Sequence, residues 1–93
     1  LGTVKSAESV SHTILRRIRG TVSRQACPEI EVRLHPLMAS YFQNAKRGAI
    51  LEIEETFEKT ISVTFDPLLR YEELRFTYHD RPRDPSAELQ HHL

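Results

Sequence analysis

Carboxylate, imidazole and guanidinium groups are the side chains through which this sequence could do chemistry, and their spacing decides which could act together. The densest carboxylate cluster is Glu52, Glu54, Glu55 and Glu58; such a cluster is what a divalent cation or a general acid/base pair would use. Helical spacing gives a plainer reading, in which Glu54, Glu55 and Glu58 form the solvated face of a helix opposite Ile50, Ile53 and Phe57. His12, His35 and His79 fall on separate segments, and His91 and His92 lie near the last residue, so no structured zinc site is set out. Ser9, Ser11 and Ser62 stand in no nucleophile-elbow pattern. Gly2, Gly20 and Gly48 are isolated, which excludes a glycine-rich phosphate loop. Cys27 is the single cysteine, so neither an internal disulfide nor a cysteine-built metal cage can form within the chain. The expectation is a chain with no catalytic residue, no metal ligand and no cofactor of its own.

The cations carry more. Arg16 and Arg17, with Arg19 and Arg24, make a basic stretch that could meet RNA or an acidic protein surface. The same arginines fit a solvated helix end, where cations complement the helix dipole. Lys46 and Arg47 could contact phosphate as point charges or simply project into solvent. No aromatic residue interleaves the arginines, so a base-stacking platform is not indicated. The candidate RNA-binding residues are Arg16, Arg17, Lys46 and Arg47.

Hydrophobic periodicity supplies the elements that would position these groups. Ala7, Val10, Ile14, Ile18 and Val22 recur at helical spacing, predicting a first helix over 6–25 with Ser6 as N-cap and Glu8 in its first turn. Pro28 forbids its continuation. Over 29–35 the period becomes two, with Ile30, Val32 and Leu34 on one side and Glu29, Glu31, Arg33 and His35 on the other: a half-buried strand. Pro36 suits the start of a second helix carrying Leu37, Met38, Tyr41 and Phe42. Residues 43–48 hold no large apolar side chain and read as a break, after which a third helix spans 47–57. Strands over 60–65 and 73–79 follow, and the short loop between them fits an antiparallel hairpin.

The predicted fold class is α+β, in the order helix, strand, helix, helix, strand, strand, with a three-stranded mixed sheet covered by helices on one face. The other face would show Glu31, Arg33, His35, Ser62, Thr64, Arg75 and Thr77, solvated or at an interface. Phe42, Phe65, Phe76 and Tyr78 read as core, and Cys27 as a buried small residue at the mouth of a strand. Residues 1–80 make the domain; 81–93, with Pro82 and Pro85, read as a disordered tail.

Ninety-three residues allow a single domain. Thirteen Lys plus Arg balance thirteen Asp plus Glu, which excludes a wholesale polyanion-coating surface. The neutrality is a cancellation: residues 1–27 hold five basic side chains against one acid, and 28–80 hold six against ten. No apolar run approaches the roughly 18–20 residues of a membrane span. The lone thiol fits a reducing cytosol. The chain begins Leu-Gly-Thr-Val with no secretory signal pattern, and reads as cut from something longer, in a cytoplasmic protein.

Three stretches resemble a known family. Gly2-Thr3-Val4-Lys5, Glu8-Ser9 and Ile14-Leu15-Arg16 with Ile18 are similar to the segment that follows the zinc-binding Cys-Pro-x-Cys-x-Gly-x-Gly motif of the bacterial ribonuclease E/G endoribonucleases. Ala39-Ser40-Tyr41, Asn44, Lys46-Arg47, Ala49 and Ile53-Glu54 resemble the ribonuclease E branch, and residues 60–80 share its hydrophobic pattern. The resemblance is to the family's C-terminal small domain. It implies a parent that cleaves single-stranded RNA with magnesium, zinc held by cysteines upstream of Leu1, and a non-catalytic domain that helps build a dimer or tetramer. Cys27 is not one of the zinc pair. On this reading Arg33, Arg75 and Thr77, on the open sheet face, are candidate subunit contacts. The alternative is a KH-like RNA-binding module, whose strand, helix, helix, strand, strand order is similar, with residues 44–47 standing where its Gly-x-x-Gly loop would be and the glycines missing.

Overall fold

The structure is a computed structural model that describes residues 6–80. The predicted tail and the first residues of the chain lie outside this range. Helix α1 (Ala7–Arg24) starts where Ser6 Oγ accepts the Ser9 N–H at 3.1 Å, with Glu8 in its first turn and Arg24 in its last. Its apolar stripe of Val10, Ile14, Ile18 and Val22 is buried. Strand β1 (Glu29–Leu34) follows. His35 then caps α2 (Pro36–Ala45), its Nδ1 accepting the Leu37 N–H at 3.1 Å beside the helix-starting Pro36.

The expected break over 43–48 narrows to one residue. Lys46 closes α2 by donating its N–H to the Phe42 carbonyl at 3.1 Å, and opens α3 (Arg47–Phe57) by accepting from the Ile50 N–H at 3.2 Å. Glu58 ends α3 in the left-handed region at φ 54°, turning the chain into β2 (Thr60–Phe65); β3 (Leu74–His79) completes the fold.

The three-stranded sheet has the order β2-β1-β3, with β1 parallel to β2 and antiparallel to β3. A parallel pair needs a crossover, which α2 and α3 supply. The α+β class, the element order and the mixed sheet are as the sequence predicts. The hairpin is not: β2 and β3 lie on opposite sides of β1. Residues 66–73 form successive turns, closed by Leu69 N–H to Asp66 C=O and Glu73 N–H to Arg70 C=O, both at 3.1 Å. That link carries the chain from one edge of the sheet to the other, with Leu69 buried and Tyr71 edge-on to His35 at 6.0 Å.

Ile30, Val32 and Leu34 are fully buried under Met38, Phe42, Ile53 and the α1 stripe, which together form the core. Phe42 sits there as expected, but Phe65 is 68% exposed and Tyr78 45%. Both lie on outer strands, where a sheet face extends past its helical cover. Phe76, half-buried, stacks on Tyr78 with centroids 6.4 Å apart. Cys27 is half-buried rather than enclosed. Truncating Phe42→Ala should cost about 3–5 kcal/mol, and Phe65→Ala less than about 1 kcal/mol, both read as shifts in urea-unfolding midpoint at constant slope.

Candidate functional site

The four predicted cations do not share one environment. Arg16 and Arg17 are exposed on α1. At about 100° per residue, Arg17 and Arg24 lie together on one flank of the buried stripe of α1, Arg16 points outward, and Arg19 sits toward the other flank, where it donates to Glu52 Oε1 on α3 at 3.2 Å. Arg16, Arg17 and Arg24 make no ion pair with another described residue. Arg47 is exposed and rims a cavity whose wall is apolar at Phe42, Ile50, Leu51, Ile61 and Val63 and polar at Gln43 and Glu54.

Lys46 is committed elsewhere. Its Nζ donates to Glu8 Oε2 at 2.9 Å, and its side chain is only 16% exposed. Glu8 is the meeting point of three elements: Tyr41 Oη of α2 donates to Oε1, and His12 Nε2 lies 2.8 Å from Oε2. The hydrogen bond from Tyr41, then those from Lys46 and His12, hold the Glu8 carboxyl down at about 2, and the same carboxylate pushes the Tyr41 phenol up. Of this cluster only the Glu8–His12 pair, four residues apart on a helix, could have been read locally. Tyr41 and Lys46 come from 33 and 38 positions away in sequence.

A second polar group lies on the sheet face away from the core. Glu31 is buried on the central strand, where Thr64 Oγ1 donates to Oε2 at 3.0 Å, His79 Nε2 lies 3.2 Å from Oε1, and Arg33 Nε is 3.5 Å from Oε2. Thr64 and His79 are diagonal neighbours of Glu31 across the two ladders, within reach of a long side chain. Burial resists ionisation of Glu31, but hydrogen bonds from His79, Thr64 and Arg33 outweigh it and hold the carboxyl below its ordinary range. Of the candidate subunit contacts, Arg33 and Arg75 stand directly opposite each other in the β1–β3 register. Each turns to a carboxylate, Arg33 to Glu31 and Arg75 to Glu73 at 3.9 Å, which relieves the cross-strand repulsion of like charges. Thr77 lies half-buried opposite Glu31. This face is therefore less solvated than its alternating sequence predicts, because Glu29 and Glu31 are both buried.

The acidic cluster also divides. Glu52 pairs with Arg19, and Glu55 and Glu58 are exposed, but Glu54 is half-buried and its Oε2 accepts the Ile61 N–H at 2.7 Å. Glu54 follows Ile50 by four residues and so shares its side of α3, which corrects its assignment to the solvated face. No group of three or more His, Cys, Asp or Glu positioned to hold a metal occurs among the described residues. No described helix is long and apolar enough to cross a membrane.

The Glu8 cluster has a pH signature. A carboxyl whose folded value is lowered contributes stability that is complete above its unfolded value near 4.5 and is lost as pH falls toward about 2. Glu8→Gln should therefore flatten the fall in urea midpoint between pH 5 and about 2, leaving the rest of the profile unchanged, and added salt should shrink the difference.

The family model described as RNase E/G, Thioredoxin-like domain matches residues 1–79. No curated protein matches the chain. The match names a thioredoxin-like domain where the sequence resemblance pointed to a C-terminal small domain, and with one cysteine the chain has no thiol pair of its own for disulfide exchange. Spanning nearly the whole sequence, the match establishes that this chain belongs to the ribonuclease E/G family, through its thioredoxin-like domain.

Proposed function

We propose that this chain is a non-catalytic scaffolding and oligomerisation domain of a cytoplasmic ribonuclease E/G-type endoribonuclease, placed after the zinc link. The family match over residues 1–79 carries this reading. On it, the parent cleaves single-stranded RNA, with magnesium and zinc held outside this chain. The use of charged side chains supports it. Glu8, Lys46, Arg19 and Glu52 fasten α1 to the other helices, and Glu31 joins all three strands. Groups so engaged position structure rather than transfer protons. In an assay with magnesium and single-stranded RNA, the 93-residue chain should give no cleavage above a buffer blank; turnover that follows the chain through purification would sink the reading.

One observation favours a second reading, RNA contact through phosphate. Arg16, Arg17 and Arg47 are exposed and free of ion pairs with described residues. Lys46 joins them only by leaving Glu8. The KH-like version of this reading loses its loop, since residues 44–47 are the end of α2, a single joint residue and the start of α3. Fluorescence anisotropy of labelled single-stranded RNA against salt separates the two readings. The scaffold reading expects weak binding that Arg16→Glu/Arg17→Glu barely changes; a steep salt slope abolished by that double variant selects RNA contact.

A further inference from the structure

We propose that the outer edge of β3, beside the Arg17 and Arg24 flank of α1, docks an extended acidic segment of another protein, added antiparallel to the three-stranded sheet. This goes beyond the scaffold reading and does not rest on it. The ladders fix which backbone groups are available. Thr60 N–H donates to Pro28 C=O at 2.9 Å and Asp66 N–H to Leu34 C=O at 2.8 Å. The backbone groups of Ile30, Val32 and Leu34 therefore point toward β2, and those of Glu29, Glu31 and Arg33 toward β3. Their register partners His79, Thr77 and Arg75 turn inward. Phe76 and Tyr78, between them, turn their N–H and C=O groups outward. No described residue bonds to these groups, whereas the β2 edge is met at Ile61 N–H by the Glu54 carboxylate.

The charges around the β3 edge select what it accepts. One flank of α1 is tied to the other helices, through Glu8 to Tyr41 and Lys46 and through Arg19 to Glu52. The flank bearing Thr13, Arg17 and Arg24 thus lies on the β3 side, where Val10, Thr13 and Arg17 share a cavity with Glu72, just before β3. Arg24, whose guanidinium lies beside Gly20, ends the helix shortly before β1 starts at Glu29, opposite His79. On the other face of the strand Arg75 is exposed as well, its nearest carboxylate 3.9 Å away on Glu73. Cations along an edge repel a strand of like charge and suit an acidic one.

Directly opposed residues of an antiparallel pair share a face. Residues of the incoming segment opposite Phe76 and Tyr78 exchange hydrogen bonds with them and put their side chains on the helix side, toward Arg17 and Arg24. Those arginines are about two turns, or about 10 Å, apart along α1, the length of roughly three strand residues. Acids at alternate positions of the segment therefore meet both. The Phe76–Tyr78 stack, with Tyr78 45% exposed, gives the segment an apolar floor. A nucleic acid has no row of N–H and C=O groups to continue the ladder, and Glu72 and Glu73 at its entrance oppose an unbroken run of phosphates. Both points favour a polypeptide.

Fluorescence anisotropy of a labelled peptide of alternating Glu and Val, titrated with the 93-residue chain, tests this. We expect saturable binding that Arg17→Glu/Arg24→Glu weakens by about tenfold, with unchanged far-UV circular dichroism. Arg17→Lys/Arg24→Lys and Arg16→Glu should bind as wild type does. N-methylation of the peptide's Glu residues, whose N–H groups face β3 in this register, should abolish binding, and N-methylation of its Val residues should not. In the complex the Phe76 and Tyr78 amides should exchange more slowly. Absence of binding, binding that survives Glu N-methylation or Arg17→Glu/Arg24→Glu, or unchanged exchange at Phe76 and Tyr78 overturns the proposal. Displacement of the peptide by an equal concentration of single-stranded oligouridylate also overturns it and assigns the flank to RNA.

Discussion

A strand hydrogen-bonded along both edges gives up water from its whole backbone, so the side chains on each of its faces need partners as well. β1 is in that position, between β2 and β3. One face is met by Ile30, Val32 and Leu34 under the helices. The other carries Glu29 and Glu31, and a buried carboxylate is tolerable only when hydrogen-bonded. Glu31 meets this demand by drawing on β2 through Thr64, on β3 through His79 and on its own strand through Arg33. The parallel pairing of β1 with β2 in turn requires the α2–α3 crossover, and the crossover is what places Tyr41 and Lys46 against α1.

The charge asymmetry along the chain takes a particular form in space. A basic first helix beside an acidic remainder invites a head-to-body match, and one exists within the molecule as Arg19 to Glu52. The stronger tie runs the other way. Glu8, the one acid of the first helix, binds Tyr41 and Lys46 at the far end of α2. This leaves Arg16, Arg17 and Arg24 as the unspent cations of α1. The basic stretch is thus smaller than its sequence implies.

Much of the fold was legible because its signals are local. The α1 stripe, the alternation of β1, the helix-starting Pro36 and the restart at Arg47 each arise within a few residues, and the elements follow them closely. Strand order was not legible in the same way. A short apolar strand followed by another reads as a hairpin, and nothing local says that β1, formed earlier, has already taken the inner edge of β2. The candidate site was legible as a set of residue types and not as a set of partners. Lys46 and Arg47 are neighbours in sequence, yet one is tied to Glu8 and the other rims a cavity beside Glu54. Glu54 reads with Glu55 and Glu58 on the outer face of α3, yet it lies at the border of that face beside Ile50, and the strand N–H that draws it inward is invisible to helical spacing alone. Phase alone puts Phe65 and Tyr78 on the core face of the sheet, but it does not specify how far the helices extend over that face.

The placement of β3 bears on how the chain matures during synthesis. β1, the two crossover helices and β2 emerge in order and can assemble with α1 as they appear. The second edge of β1 has no partner until residues 74–79 have been made, since β3 is the last described element and pairs with nothing else. Until then a nascent chain presents an unsatisfied strand edge at its centre, with Glu31 still lacking the imidazole of His79. Vectorial synthesis therefore leaves the middle of this sheet as the last part to be closed.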